Sequence, residues 1–105
     1  MIKRPNAAEV AKLNDVEGKA RLAADRAHQA RQLLDNALLV EAEEYVRQEY
    51  TDAMCKGPIG ADDLRLQARI ALDVLDRVMA HIRGHVRDGT VADYQIREVT
   101  RKRVA

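Results

Sequence analysis

From Ala7 to Leu34, apolar residues recur at Val10, Leu13, Val16, Ala20, Ala23, Ala27, Ala30 and Leu34. Steps of three and four place them along one helical stripe. The stripe is narrow, closer to a coiled-coil seam than to the broad face of a globular helix. Its middle is Ala alone, so a partner helix can come close while little area is buried per turn. Gly18 lies inside the run and weakens it by about 1 kcal/mol relative to Ala. The pattern predicts a long first helix that depends on a partner.

Asp35-Asn36 follows, and a short side-chain oxygen there suits an N-cap, accepting from the orphan N–H groups of the next turn. The second helix is predicted from about Ala37 to Lys56, after a bend at Asp35-Asn36. Leu39, Ala42, Val46, Tyr50 and Ala53 mark its apolar face, and Glu41, Glu43, Glu44, Glu49 and Asp52 its acidic one. Gly57-Pro58-Ile59-Gly60 is the clearest break, because Pro lacks a donor and both glycines permit turn geometry.

Asp62 and Asp63 open the third helix, where the macrodipole favours negative charge. Leu64, Ala68, Ala71, Leu72, Leu75, Val78, Met79, Ile82 and Val86 trace its stripe. Arg83, His85 and Arg87 suit a last turn, and Asp88-Gly89 reads as a stop. Thr90-Val91-Ala92-Asp93 then has the form of a capping box. A short fourth helix is expected from Val91 to about Lys102, packing Val91, Tyr94 and Val99 back on the rest. The predicted fold is all-α: an antiparallel helical hairpin with a long Ala-rich N-terminal helix and a short C-terminal helix. Residues 1–35 form the partner-dependent helix and 36–105 the hairpin with its final helix, in a single domain overall.

Composition agrees. The 105 residues include 17 Ala, two Pro, three Tyr and neither Phe nor Trp, which disfavours a β-sandwich. A folded monomer of this size buries roughly 65% of its unfolded surface. With so few large residues, burial is expected from helix seams or from other chains. The longest apolar run at the centre of the first half, Ala37-Leu38-Leu39-Val40, is far short of a membrane span of about 20 residues. No apolar stretch follows the basic start, so no secretory signal is expected. Cys55 stands alone, which excludes an internal disulfide and suits a reducing compartment. The expected location is the host cytoplasm or the virion.

Candidate chemistry is sparse. His81 and His85 share a helix face, as in some zinc sites, but no Cys or carboxylate lies at a spacing that completes a ligand set, and surface or interface histidines are the simpler reading. Cys55 has no neighbouring base, Glu43 and Glu44 face different directions, and neither a phosphate loop nor a nucleophile elbow is present. No catalytic residue, metal or cofactor is expected. At the basic C-terminus, Arg97, Arg101, Lys102 and Arg103 could neutralise phosphates. The chain's net charge is only +1, however, and no aromatic interleaves these cations for base stacking.

One stretch is more distinctive. The run Ala30-Arg31-Gln32-Leu33-Leu34-Asp35-Asn36-Ala37-Leu38-Leu39-Val40-Glu41-Ala42, then Glu44-Tyr45, His81-Ile82-Arg83 and Asp88-Gly89-Thr90-Val91-Ala92, is similar to a family of small helical proteins of tailed phages and prophages. Their genes tend to lie among those for head morphogenesis and packaging. Residues 30–92 carry the resemblance, which departs at Ala37 and Glu43, where relatives tend to have Pro and an aromatic. It implies no catalytic residues.

The expectation is a non-enzymatic phage or prophage structural or assembly protein. It would associate through helices with itself or with a head, portal, head–tail or ejection protein of the virion. Val10, Leu13, Val16, Ala20, Ala23, Ala27 and Leu34 would be the partner-binding stripe, left open by a hairpin in which Leu72, Leu75, Val78, Met79 and Ile82 clasp Leu39, Val46 and Tyr50. The alternatives are a DNA-binding packaging accessory, resembling a small terminase subunit and using Arg97, Arg101, Lys102 and Arg103, or an inhibitor of a host defence system that uses the acidic face.

Overall fold

The computed structural model describes residues 4–104. Among them are three α-helices and no strand: α1 (Ala7–Leu34), α2 (Ala37–Lys56) and α3 (Asp62–Val104). The all-α expectation holds. A reciprocal cap fixes the start of α1: the Glu9 N–H donates to Asn6 Oδ1 at 2.9 Å, and the Asn6 N–H donates to the Glu9 carboxylate at 3.3 Å. The interruption before α2 lies where the Asp-Asn pair predicts it. Asn36 Oδ1 accepts from the N–H groups of Leu38 and Leu39 at 2.9 and 3.1 Å, satisfying two otherwise orphan donors.

Between α2 and α3, Gly60 takes a positive φ of 93°, which its missing Cβ makes cheap. Arg65 secures this connection. Its guanidinium donates to the carbonyls of Gly57 at 2.8 Å, Pro58 at 3.0 Å and Met54 at 3.3 Å. Those are the end carbonyls of α2 and the turn beyond it, groups that the helix itself leaves without partners. Asp62 and Asp63 occupy the first turn of α3 as predicted.

The end of α3 is not where the pattern places it. There is no separate C-terminal helix: Asp88, Gly89 and Thr90 lie inside α3, which runs unbroken to Val104. Gly89 does not stop the helix, and Thr90 and Asp93 are exposed mid-helix residues that cap nothing. The reason is tertiary. Gly89 is buried, and a Cβ built on it would overlap the Cβ of Ala27. A conformational cost of about 1 kcal/mol is offset where the absent side chain lets two helices approach.

The described residues fall into two compact units. One joins those up to Arg31 with those from Gly84 onward; the other spans Gln32–Arg83. The grouping therefore differs from a division at residue 35, since the end of α3 belongs with α1. In the first unit Gly89 meets Ala27, while Arg103, further along α3, reaches Asn14 and Glu17, earlier along α1. The two segments thus run in opposite directions. Ala20, Ala27, Ala30, Ala92 and Val99 are buried there. In the second unit the buried hydrophobic side chains are Ala68 and Met79.

Candidate functional site

The stripe on α1 is not left open. Ala20, Ala27 and Ala30 are buried in the first unit, where Leu13 and Ala23 are half-buried, and Leu34 is half-buried in the second. Val10 and Val16 remain at the exposed margin, near 40% accessible. The opposing face on α3 is Gly89, Ala92, Ile96 and Val99, in helical phase with one another. Val91 and Tyr94 fall off that phase and are exposed, contrary to the expectation that they pack inward. The predicted partner for this stripe is thus largely the chain's own C-terminal segment.

A polar network closes one end of this unit. Arg21 Nε donates to Glu17 Oε1 at 2.8 Å, and Arg103 donates to the other Glu17 oxygen and to Asn14 Oδ1. The Arg21 hydrogen bond, with the nearby Arg103 charge, holds the Glu17 carboxyl below its ordinary value despite partial desolvation. This occupies one of the four cations of the nucleic-acid alternative. Arg101 bonds Glu98 at 2.6 Å. Arg97 and Arg101 are four apart, whereas Lys102 and Arg103 turn to other sides of the helix, so the four form no single phosphate-facing row.

Two shallow grooves flank the same helices. One, of about 310 Å³, is lined by Lys19, Leu22, Ala23, Arg26, His85 and Asp88. The other, of about 330 Å³, has Leu13, Val16, Tyr94, Gln95, Glu98, Val99 and Lys102 on its walls. Cys55 is an exposed free thiol on α2. His81 is exposed and His85 half-buried. Among the described residues no group of three or more His, Cys, Asp or Glu side chains is arranged to hold a metal ion, and no helix is long and apolar enough to cross a membrane.

In the second unit, polar contacts tie α2 to α3. Glu43 lies 3.7 Å from Arg83, Arg47 donates to Asp76 at 2.9 Å, and Arg65 reaches Met54 and Gly57. The order of contacts reverses between the two helices. Leu39, Val46 and Tyr50 are half-buried as the pattern implies, but Ala42 and Ala53 of the same predicted face are exposed. On α3, Leu72, Leu75 and Ile82 are half-buried, whereas Leu64 and Val78 are more than half exposed. Val78 falls off the Ala68–Met79 line that faces α2, whereas Leu64 is in phase with that line and exposed in the first turn of α3.

The consequence is an unusually uncovered helix. No residue of α2 is buried, and Leu38 and Tyr45 are 73% and 70% exposed.

Several residues that hold the structure escape the periodic reading. Asn6 and Glu9 have a readable cap spacing, N-x-x-E. Arg65, Glu17 and Arg103 offer no local signal, since their partners lie on other segments. Comparison with protein-family models, curated proteins and solved structures found no match.

Proposed function

We propose that this chain is a non-enzymatic structural or assembly protein of a phage or prophage, acting by helix-mediated association with itself or with a virion protein. The observation that carries the docking part is α2, a helix of 20 residues of which none is buried. Burial of apolar area is the main driving force for association, and this chain leaves much of that area exposed. The phage assignment rests on the resemblance of residues 30–92, and it goes with a host-cytoplasmic or virion location.

In this reading α2 and the first part of α3 work as an antiparallel hairpin, supported by the reversed order of the Glu43–Arg83, Arg47–Asp76 and Arg65–Met54 contacts. The hairpin presents its outer apolar positions to the partner. Covering of the α1 alanines by the end of α3 moves the binding surface away from Ala20, Ala23 and Ala27. It leaves Val10 and Val16 as marginal contributors.

Mass spectrometry of purified particles tests the assignment. The expected result is this chain at a fixed stoichiometry in virions or in assembly intermediates. Its absence from both, together with capture by a host defence enzyme, would overturn the assignment.

A further inference from the structure

The two compact units carry opposite charge. Gln32–Arg83 holds ten carboxylate and six cationic side chains, whereas the described residues of the other unit hold seven and eleven. The imbalance is sharpest on α2, where five carboxylates stand against Arg47 and Lys56. Glu43 and Arg47 are engaged on the inner side by Arg83 and Asp76, and Asp52 is paired with Lys56. Glu41, Glu44 and Glu49 are exposed. Leu38, Ala42 and Tyr45, at i, i+4 and i+7, form an exposed apolar row on the same helix. Glu41 and Glu49, four residues to either side of Tyr45, border that row. On the adjoining outer side of α3 the exposed Asp73 and Arg77 offset each other, so α2 keeps its acidic balance.

The groove of about 330 Å³ in the other unit has the matching character. Leu13, Val16, Tyr94 and Val99 give it apolar walls, and Lys102 stands at its edge. Across the stretches that border it, residues 12–21 and 93–103, seven cations stand against four carboxylates. Asp15 is paired with Lys19, Glu17 with Arg21 and Arg103, and Glu98 with Arg101, while Asp93 is exposed. Lys12, beside Leu13, and Lys102 are exposed and have no carboxylate partner among the described residues.

We infer that this groove receives α2 of a second copy. Leu38, Ala42 and Tyr45 are the anchors against its apolar walls, and Glu41 and Glu49 lie toward Lys12 and Lys102. The inference rests on the docking reading above and names its partner. A helix laid in a groove uses anchors at this i, i+4, i+7 spacing. Charge selects the pairing: α2 on α2 sets carboxylate against carboxylate, groove on groove sets cation against cation, and only α2 on the groove is attractive.

Sedimentation equilibrium of the full chain at about 100 μM tests this, alongside circular dichroism. Wild-type protein is expected to associate, with a dissociation constant that rises at least about tenfold between roughly 0.05 and 0.5 M salt. Glu41→Lys with Glu49→Lys, and separately Lys12→Glu with Lys102→Glu, should each weaken association about tenfold or more. Helicity should be retained, since all four side chains are exposed. Mixing the two variants should restore affinity to within about threefold of wild type, because the reversed charges then meet across the groove. A wild type that is monomeric in both salts would overturn the inference. If that monomer still co-purified with particles, the docking reading would stand without it. Association indifferent to salt and to both variants, or weakened variants that mixing does not restore, would likewise remove α2 of a second copy from the groove.

Discussion

Gly89 on α3 faces Ala27 on α1 at a separation that leaves no room for a further carbon: a Cβ on the glycine would overlap that of the alanine. Arg31 passes the same point, its guanidinium 3.6 Å from that added atom. The contact explains why a residue that ordinarily ends helices sits inside one. It also explains the Ala bias of α1, whose middle is small enough to let the two backbones close.

Gly89→Ala is accordingly expected to destabilise the protein. The alanine gains about 1 kcal/mol of helix propensity, but overpacking against a backbone-adjacent Cβ costs about 1–3 kcal/mol. A net loss of about 1 kcal/mol should appear in urea unfolding followed by circular dichroism. Gly18 gives the internal contrast, because an added Cβ there meets nothing within 4 Å. Gly18→Ala should stabilise by roughly 1 kcal/mol. Equal gains at both glycines would contradict the close contact at Gly89.

The Glu17 network predicts acid sensitivity. Its carboxyl titrates lower in the folded chain than in the unfolded one, so the unfolded state takes up protons first as pH falls. Its contribution is complete above the ordinary value near 4.5 and is lost as pH drops through the depressed folded value. Glu17→Gln should flatten the stability profile below pH 4.5. Arg103→Ala should flatten it in part. A wild-type profile unchanged by Glu17→Gln in that window would remove the carboxylate from the account.

Arg65 predicts a local effect at the far end of α2. Arg65→Ala leaves the carbonyls of Met54, Gly57 and Pro58 without their guanidinium donor and should cost about 1–2 kcal/mol. Lys should restore little, since one ammonium cannot reproduce a planar fork that reaches three carbonyls. Hydrogen exchange should accelerate first in the last turn of α2. Uniform acceleration over the second unit would instead indicate a general loss of packing.

The Asn36 cap predicts that Asn36→Ala costs about 1 kcal/mol, because the N–H groups of Leu38 and Leu39 lose their acceptor. Asp or Ser at the same position should recover most of it. Thermal unfolding of the three variants checks the ranking.

Helix starts and breaks were the most legible part of the chain, because caps and breakers act locally. Asn36, the Gly57–Gly60 turn and the Asp62-Asp63 start all operate within four residues of their own positions. The end of α3 was illegible for the opposite reason. Asp88-Gly89-Thr90 carries the local chemistry of a stop, and only the distant Ala27 makes a glycine useful inside the helix. The candidate site divides in the same way. Narrowness and Ala content marked the α1 stripe as a close helix seam, but not whose helix fills it. Glycine, Ala92, Ile96 and Val99 on α3 supply that helix, and Val91 and Tyr94 turn outward with the unbroken phase.

The central claim is that a single copy leaves apolar helix surface to be covered by association. Melting of the wild-type chain across a hundredfold range of protein concentration tests it most directly. Mass action stabilises a folded state that binds its own kind, so the midpoint should rise by several degrees with concentration. A midpoint that stays fixed, with a compact, highly stable monomer that also fails to co-purify with particles, would contradict the claim.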